Sequence, residues 1–327
     1  MSRLLIGIVV GFPIVFVVIA LALIAWPASP LSQDRNVARD EMTRFVESGA
    51  FQQPAAARLF TARDGASRLY RLYGSGKDLL VFMHGSAGDS RYLARFATEL
   101  SAEAGIRVAT LDMRGHGERP IRRGDVDNVE QQEWDIADLV HAISAEEPVQ
   151  RLLVGGHSIG GGLALRYASG RETPKPAAVL LLSPYVSRKA PSSRSGSGGW
   201  AKPRVTRFAG IEMLHRFGVH ALDHLPVIEF AVSPSRRDGL ETPHYSWRLF
   251  ASVIPRSDWQ ADIARISAPI LVLGAEKDVI FRSEGYAAAF SGNPKATVEI
   301  VPAVGHFALS LSDDAPRRFA KWLKKIQ

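Results

Sequence analysis

The sequence predicts an α/β fold, a mostly parallel sheet carrying helices on both faces. Two patterns predict it. Short, near-continuous apolar runs such as Leu152–Val154, Ala178–Leu182 and Pro269–Leu273 recur along the chain and alternate with helix-like stretches. Strands buried on both faces read in that way. The second pattern is a single turn, Gly156-His157-Ser158-Ile159-Gly160. It stands between the apolar run Leu152–Val154 and the helix-like run Leu163–Ala168. This is the context of a strand turning sharply into a helix with a serine at the apex. Glycine has no Cβ to clash, so Gly156 and Gly160 let the turn close.

The chain has 327 residues and 46% hydrophobic content, enough for one large domain with additions or for two ordinary ones. Its net charge is +7. No stretch interleaves basic residues with stacking aromatics, so nucleic acid is not an expected partner. An anionic membrane surface accounts for the charge equally well. There is no cysteine, which excludes disulfides, thiolate catalysis and thiolate metal sites.

Leu4 to Trp26 is apolar and carries no charged residue. About 20 residues at 1.5 Å each cross a bilayer core of about 30 Å, so a transmembrane helix is expected over residues 4–26. The competing reading is a cleaved signal peptide, whose apolar region would be about 7–15 residues. Arg3 and the terminal amine lie on one side of the run; Arg35, Arg39 and Arg44 lie further off on the other. Those arginines are expected to belong to a folded helix, which places the following domain outside the cytoplasm. Residues 27–57 read as a linker, Ser29–Gln33, and a connecting helix within Arg35–Phe51, with Val37, Met42, Phe45 and Val46 near helical spacing.

From residue 58 the elements follow in order. Leu59–Tyr73 holds the turn Asp64-Gly65 between two alternating segments, a hairpin. Asp78–Met83 is a buried strand, with His84-Gly85-Ser86-Ala87-Gly88 at its end. Arg107–Leu111 is the next, followed by Arg114-Gly115-His116-Gly117. Glu133–Ile143 reads as a helix. Leu152–Gly155 enters the serine turn. Ala178–Leu182 precedes Ser183-Pro184-Tyr185. Pro269–Leu273 leads into Glu276-Lys277-Asp278, and Thr297–Val301 into Gly305-His306-Phe307. Ala315–Ile326 is an amphipathic terminal helix expected to pack on the sheet.

With these motifs in this order, from about Phe60 to the C-terminus, the chain resembles the α/β-hydrolases. It is most similar to the branch of monoacylglycerol lipases, lysophospholipases and serine aminopeptidases S33. The resemblance implies a catalytic order of Ser, acid, His, hence Ser158, Asp278 and His306, with Glu276 as a competing acid. It also implies an oxyanion hole from the backbone N–H groups of Ile159 and Ser86. His84, Gly85, Gly156, His157 and Gly160 then support the elbow and the loop beside it. A serine hydroxyl is a weak nucleophile until a base removes its proton and an acid orients that base.

In this fold, an insertion after the Ala178–Leu182 strand forms a cap. The strand-helix rhythm breaks over residues 186–257, which divides the hydrolase core into 58–185 and 258–327. The insertion mixes large apolar residues with eleven Lys/Arg against five Asp/Glu, an excess of six. It reads as a solvated basic face or as a lid drawn to anionic lipid. Its histidines, His215, His220, His224 and His244, show no paired spacing with carboxylates, so no metal is expected. The expected protein is a membrane-anchored serine esterase acting on a small or lipid-like ester, without a cofactor. An amidase or aminopeptidase of the S33 type would call for carboxylates near the site to bind an amine, and the cap holds few acids. A ligand-binding scaffold on the same fold is the non-enzymatic alternative.

Overall fold

The apolar runs become strands because each can bury both of its faces. The computed structural model describes residues 3–27, 37–47, 51–232 and 238–326; within these, nothing is said of the side chains of residues 3–13, 39, 42 and 45–47. Its strands are β1 (Arg58–Thr61), β2 (Ser67–Tyr73), β3 (Leu79–Met83), β4 (Arg107–Leu111), β5 (Leu152–His157), β6 (Ala178–Leu182), β7 (Ala201–Pro203), β8 (Pro226–Phe230), β9 (His244–Ser246), β10 (Ile270–Ala275) and β11 (Ala296–Val301). Eight of them form one sheet in the order β1-β2-β4-β3-β5-β6-β10-β11. β1 runs antiparallel to β2, and β2 to β4; the other neighbours are parallel. The α/β architecture read from the sequence is therefore the observed one.

Helices cover both faces of this sheet. In chain order the helices of the described residues are α1 (Arg3–Ala25), α2 (Val37–Glu47), α3 (Ala94–Ala104), α4 (Gln131–Glu146), α5 (Ile159–Ser169), α6 (Val205–His215), α7 (Trp247–Ser252), α8 (Trp259–Arg265), α9 (Tyr286–Phe290) and α10 (Asp314–Lys325). Side chains alternate along a strand, so the sheet feeds two cores. Val81, Val154 and Val272 face Leu139 of α4 and Leu163 of α5. Leu80, Phe82, Leu153 and Leu271 face Phe96 of α3 and Phe319 of α10. The terminal helix thus packs on the sheet as expected. α4 starts two residues earlier and ends three later than its apolar spacing suggests, because Gln131, Gln132 and Glu133 are buried polar residues that hydropathy does not flag.

The chain between β6 and β10 leaves the sheet and returns to it. Within that stretch β7, β8 and β9 pair antiparallel as a separate small sheet with α6 and α7 beside it. These strands, three to five residues long, were not visible in the hydropathy pattern. Among the described residues, no helix is long and apolar enough to cross a membrane. α1 itself is 23 residues long, but its described side chains begin only at Ile14. The linker expected at Ser29–Gln33 lies outside the described residues.

One buried ion network ties the motif after β4 to α4. The Asp135 carboxylate accepts from Arg114 at 2.6 and 2.8 Å and from Arg68 at 3.2 Å. All three side chains are at most 5% exposed. Removing one partner of such a network strands the others without water. Asp135→Ala is expected to cost about 3–5 kcal/mol of unfolding free energy, read from denaturant melts. A loss below about 1 kcal/mol, the range of an exposed ion pair, would show that the two guanidinium groups find other acceptors.

Candidate active site

β5 and α5 meet at Ser158, whose backbone has φ 57° and ψ −119°. That region is costly for a residue with a Cβ and needs surrounding contacts to hold it. Here the chain closes in tightly. A Cβ on Gly156 would lie 2.3 Å from the Gly160 carbonyl carbon, and one on Gly160 would lie 2.4 Å from the Met83 carbonyl oxygen. The turn is pinned by Ser158 N–H donating to Leu182 O at 2.9 Å and Tyr185 N–H donating to Ser158 O at 2.8 Å. Ile159 opens α5, where backbone N–H groups have no intrahelical acceptor and favour negative charge.

Asp278 follows β10 and His306 follows β11, at the same ends of parallel strands as Ser158. His306 Nδ1–H donates to Asp278 Oδ2 at 2.8 Å. Asp278 Oδ1 accepts the N–H groups of Ile280 and Phe281, both at 2.8 Å. Burial pushes the Asp278 carboxyl up, but the adjacent His306 ring and these two N–H groups outweigh it and hold the group below the usual carboxylate range. His306 Nε2 is buried and, among the described residues, has no hydrogen-bond partner. Glu276, the competing acid, instead accepts Ala303 N–H at 2.7 Å. Ser158, His157, His306, Gly85 and Ser86 all line one cavity.

The residues expected to support the site are joined by two tyrosine relays. The Tyr92 hydroxyl oxygen accepts Gly85 N–H, and the same hydroxyl lies 2.9 Å from His157 Nδ1. His157 Nε2 lies 3.1 Å from the His306 carbonyl oxygen. A carbonyl only accepts, so Nε2 carries the proton, and Nδ1 accepts from Tyr92. The loop after β3 is thereby linked to the His306 backbone through His157. The second relay runs from Ala87 N–H to the Tyr245 hydroxyl oxygen at 3.1 Å, then from that hydroxyl to His116 Nε2 at 2.6 Å. It fastens cap strand β9 to the core. His84 accepts Met113 N–H at Nε2 and donates from Nδ1 to Gly85 O. Burial lowers the pKa of all three histidines, that of His157 to about 3.

Three further residues had no signal in the sequence. Trp200 Nε1–H donates to Ser86 Oγ at 2.8 Å, so the hydroxyl next to the expected oxyanion donor is held by the cap. Glu41 comes from α2, expected only to connect. It accepts Phe307 N–H at 2.9 Å, while its other carboxylate oxygen is buried without a partner. Burial raises its pKa against the pull of His306. The third is Tyr92 itself. In the cap, His215, His220 and Asp223 converge, contrary to the spacing argument. Asp223 accepts from both rings, at 2.6 and 3.1 Å, which satisfies its carboxylate without an ion. His224 and His244 stand apart from this group.

The mouth of the cavity also holds acids that the sequence did not place there, Asp89, Asp238 and Glu241. Asp89 and Asp238 both pair with Arg91, each at 2.7 Å. Glu241 accepts the N–H groups of Asp238 and Gly239.

Comparison with known proteins agrees with the fold. The family described as serine aminopeptidase, S33, matches residues 74–310. A bovine (Bos taurus) protein phosphatase methylesterase 1 is 31% identical over 145 residues, covering 44% of this chain and 38% of that protein. The match therefore spans well under half of the relative's length. A soluble variant of monoglyceride lipase from Saccharomyces cerevisiae superposes with a TM-score of 0.63 at 16% identity, covering 84% of this chain and 97% of the lipase. A membrane phospholipase A aligns along the whole length, 100% of this chain and 99% of that one, with a TM-score of 0.57 and 21% identity.

The three buried neutral histidines generate a pH prediction. In the unfolded chain each binds a proton below about pH 6.5. The folded chain binds them only at lower pH, so stability falls as pH drops from about 6.5 toward the folded values. Each imidazole contributes a slope of up to about 1.4 kcal/mol per pH unit. Denaturant midpoints measured from neutral to mildly acid pH should drop steeply through this window. A flat profile would mean the rings are already charged in the fold.

Proposed function

The chain belongs to the serine aminopeptidase S33 family of α/β-hydrolases and is an esterase-type serine hydrolase; on that premise we propose that it cleaves carboxylic esters with a lipid-like acyl group. The observation that carries the reading is the 2.8 Å pair of Asp278 and His306. The free nitrogen of that histidine is buried and unpartnered in the cavity that Ser158 also lines. Ser158 attacks the ester carbonyl. His306 takes its proton at Nε2 and returns it to the leaving alcohol. Asp278 orients the ring and stabilises the imidazolium. The N–H groups of Ile159 and Ser86 receive the oxyanion, where preorganised donors act most strongly. Water, activated by the same histidine, then releases the acid and restores Ser158.

An apolar acyl group suits the cavity, whose walls include Trp200, Val232, Phe307 and Tyr92. We further propose that residues 4–26 anchor the protein in a membrane, with the hydrolase domain outside the cytoplasm. The uncharged run Leu4–Trp26 supports this, as does the full-length alignment with a protein titled a membrane phospholipase A. An aminopeptidase reading would need a carboxylate available to a substrate amine. The three acids at the mouth are engaged by Arg91 and by backbone N–H groups, which favours the ester.

A fluorophosphonate probe should label the wild type and leave Ser158→Ala unlabelled. Ser158→Ala and His306→Ala should each lower kcat by about 10⁶-fold, and Asp278→Asn by about 10⁴-fold. If Glu276→Gln is the more damaging change, the acid is misassigned. Turnover should rise with acyl length across glycerol and p-nitrophenyl esters. Preference for aminoacyl amides, or for methyl esters of peptide carboxylates, would replace the lipid reading. Full-length protein should remain in the membrane pellet after a carbonate wash, since insertion is hydrophobic; release into the supernatant would refute the anchor.

A further inference from the structure

The helix expected to act as an anchor does not stand clear of the hydrolase. Its second half is docked on the cap. α1 and α6 run antiparallel, with Ile24 O accepting from Arg207 Nε, Ala20 against Gly210, and the ring of Phe16 edge-on to Phe217 at 5.3 Å. The contact is close enough that a Cβ on Gly210 would lie 2.5 Å from the Ala20 carbonyl oxygen. Ala20 and Ile24 share a small apolar core with Ile211, Leu214 and Val227 of the cap.

This docking limits how α1 can meet a bilayer. Residues 16–24 cannot enter the hydrocarbon without carrying along Arg207 and Glu212 of α6. A charged side chain there is expensive. The part of α1 before these contacts, Arg3 to Val15, is 13 residues by subtraction from the helix bounds, about 20 Å of helix at 1.5 Å per residue. That falls short of a core of about 30 Å. At the same time the docked half keeps an outward apolar face, with Val18, Ile19 and Leu21 exposed, and Ile14 and Val15 just before it are exposed too. On the cap, Val205, Phe217 and Val219 are exposed as well.

We propose that α1 and α6 form a single membrane seat. The first half of α1 enters the near leaflet without crossing. The outward face of its docked half and the cap residues Val205, Phe217 and Val219 rest on the lipid surface. The inference rests on the membrane reading above and replaces its simple span with a helix shared between lipid and cap. Two observations commit the face to lipid rather than to a second copy of the chain. The exposed strip continues along one helix into the uncharged run Leu4–Phe12. Exposed Arg216 and half-buried Arg204 flank it, matching anionic headgroups. The seat is also joined to the cavity, because Trp200, which holds Ser86, precedes β7, and β7 leads directly into α6.

The absence of cysteine permits a site-specific test on the full-length chain. Single cysteines at Val18, Val219 or Ile121 are labelled with the environment-sensitive dye NBD. Ile121 is an exposed apolar residue of the loop between β4 and α4 and serves as the control. With phosphatidylcholine/phosphatidylglycerol vesicles, emission at Val18 and Val219 should rise several-fold and shift to the blue, with quenching strongest by lipids spin-labelled near the headgroup. Ile121 should not change. A label at Val18 quenched best from the bilayer centre, with Val219 left in water, would restore a full span and overturn the seat. Protection of Val219 that depends on protein concentration and needs no vesicles would assign the face to a second copy. Failure of the chain to float with vesicles at all would refute the membrane reading itself, while ester turnover in the same sample reports separately on the chemistry.

Discussion

The structure depends on the backbone at Ser158 being held where a side-chain-bearing residue rarely goes. Its φ of 57° leaves no slack on either side, since Gly156 and Gly160 touch and Gly160 abuts the carbonyl of Met83. That last contact presses the turn onto the end of β3, where the loop carrying Gly85 and Ser86 begins. The strain at one residue therefore sets the distance between two loops. Parallel strands bring the remaining groups to the same edge, because β10 and β11 end beside β6.

Holding those loops to one another falls to buried, uncharged groups. His157 accepts from Tyr92 and donates to the His306 carbonyl, and His116 accepts from Tyr245. Neutral imidazole can do both at once, which imidazolium cannot. Burial favours the neutral form, so the depressed pKa values and the relay geometry have one cause. Asp278 is the contrasting case. It is equally buried but kept charged by a ring and two N–H donors.

The cap reaches this arrangement from two directions. Trp200 grips Ser86, and Tyr245 grips Ala87, so two cap residues meet consecutive positions of one core loop. The segment before the hydrolase domain reaches it too, through Glu41 on Phe307. Cap, connecting helix and core thus share the few residues around His306, and α1 is joined to the same cap through α6.

The sequence by itself determined the sheet and the residues that gather at its edge. Runs such as Leu79–Met83 and Ala178–Leu182 have no polar face, so they can only be central strands, and the elbow glycines are demanded by a local turn. Ser158, Asp278 and His306 were legible as a set from their order along the chain. Only the tertiary structure decided what lies between them. Tyr92, Trp200 and Glu41 act through contacts with residues 7 to 266 positions away, and no periodicity encodes such a contact. The same holds for the cluster of His215, His220 and Asp223, and for the acids at the cavity mouth, whose partners come from separate loops. The apolar run at the N-terminus is the clearest division. Its composition determines that it will be a helix seeking apolar surroundings. That its second half finds them in the cap depends on the glycine at position 210, which lets another helix come this close.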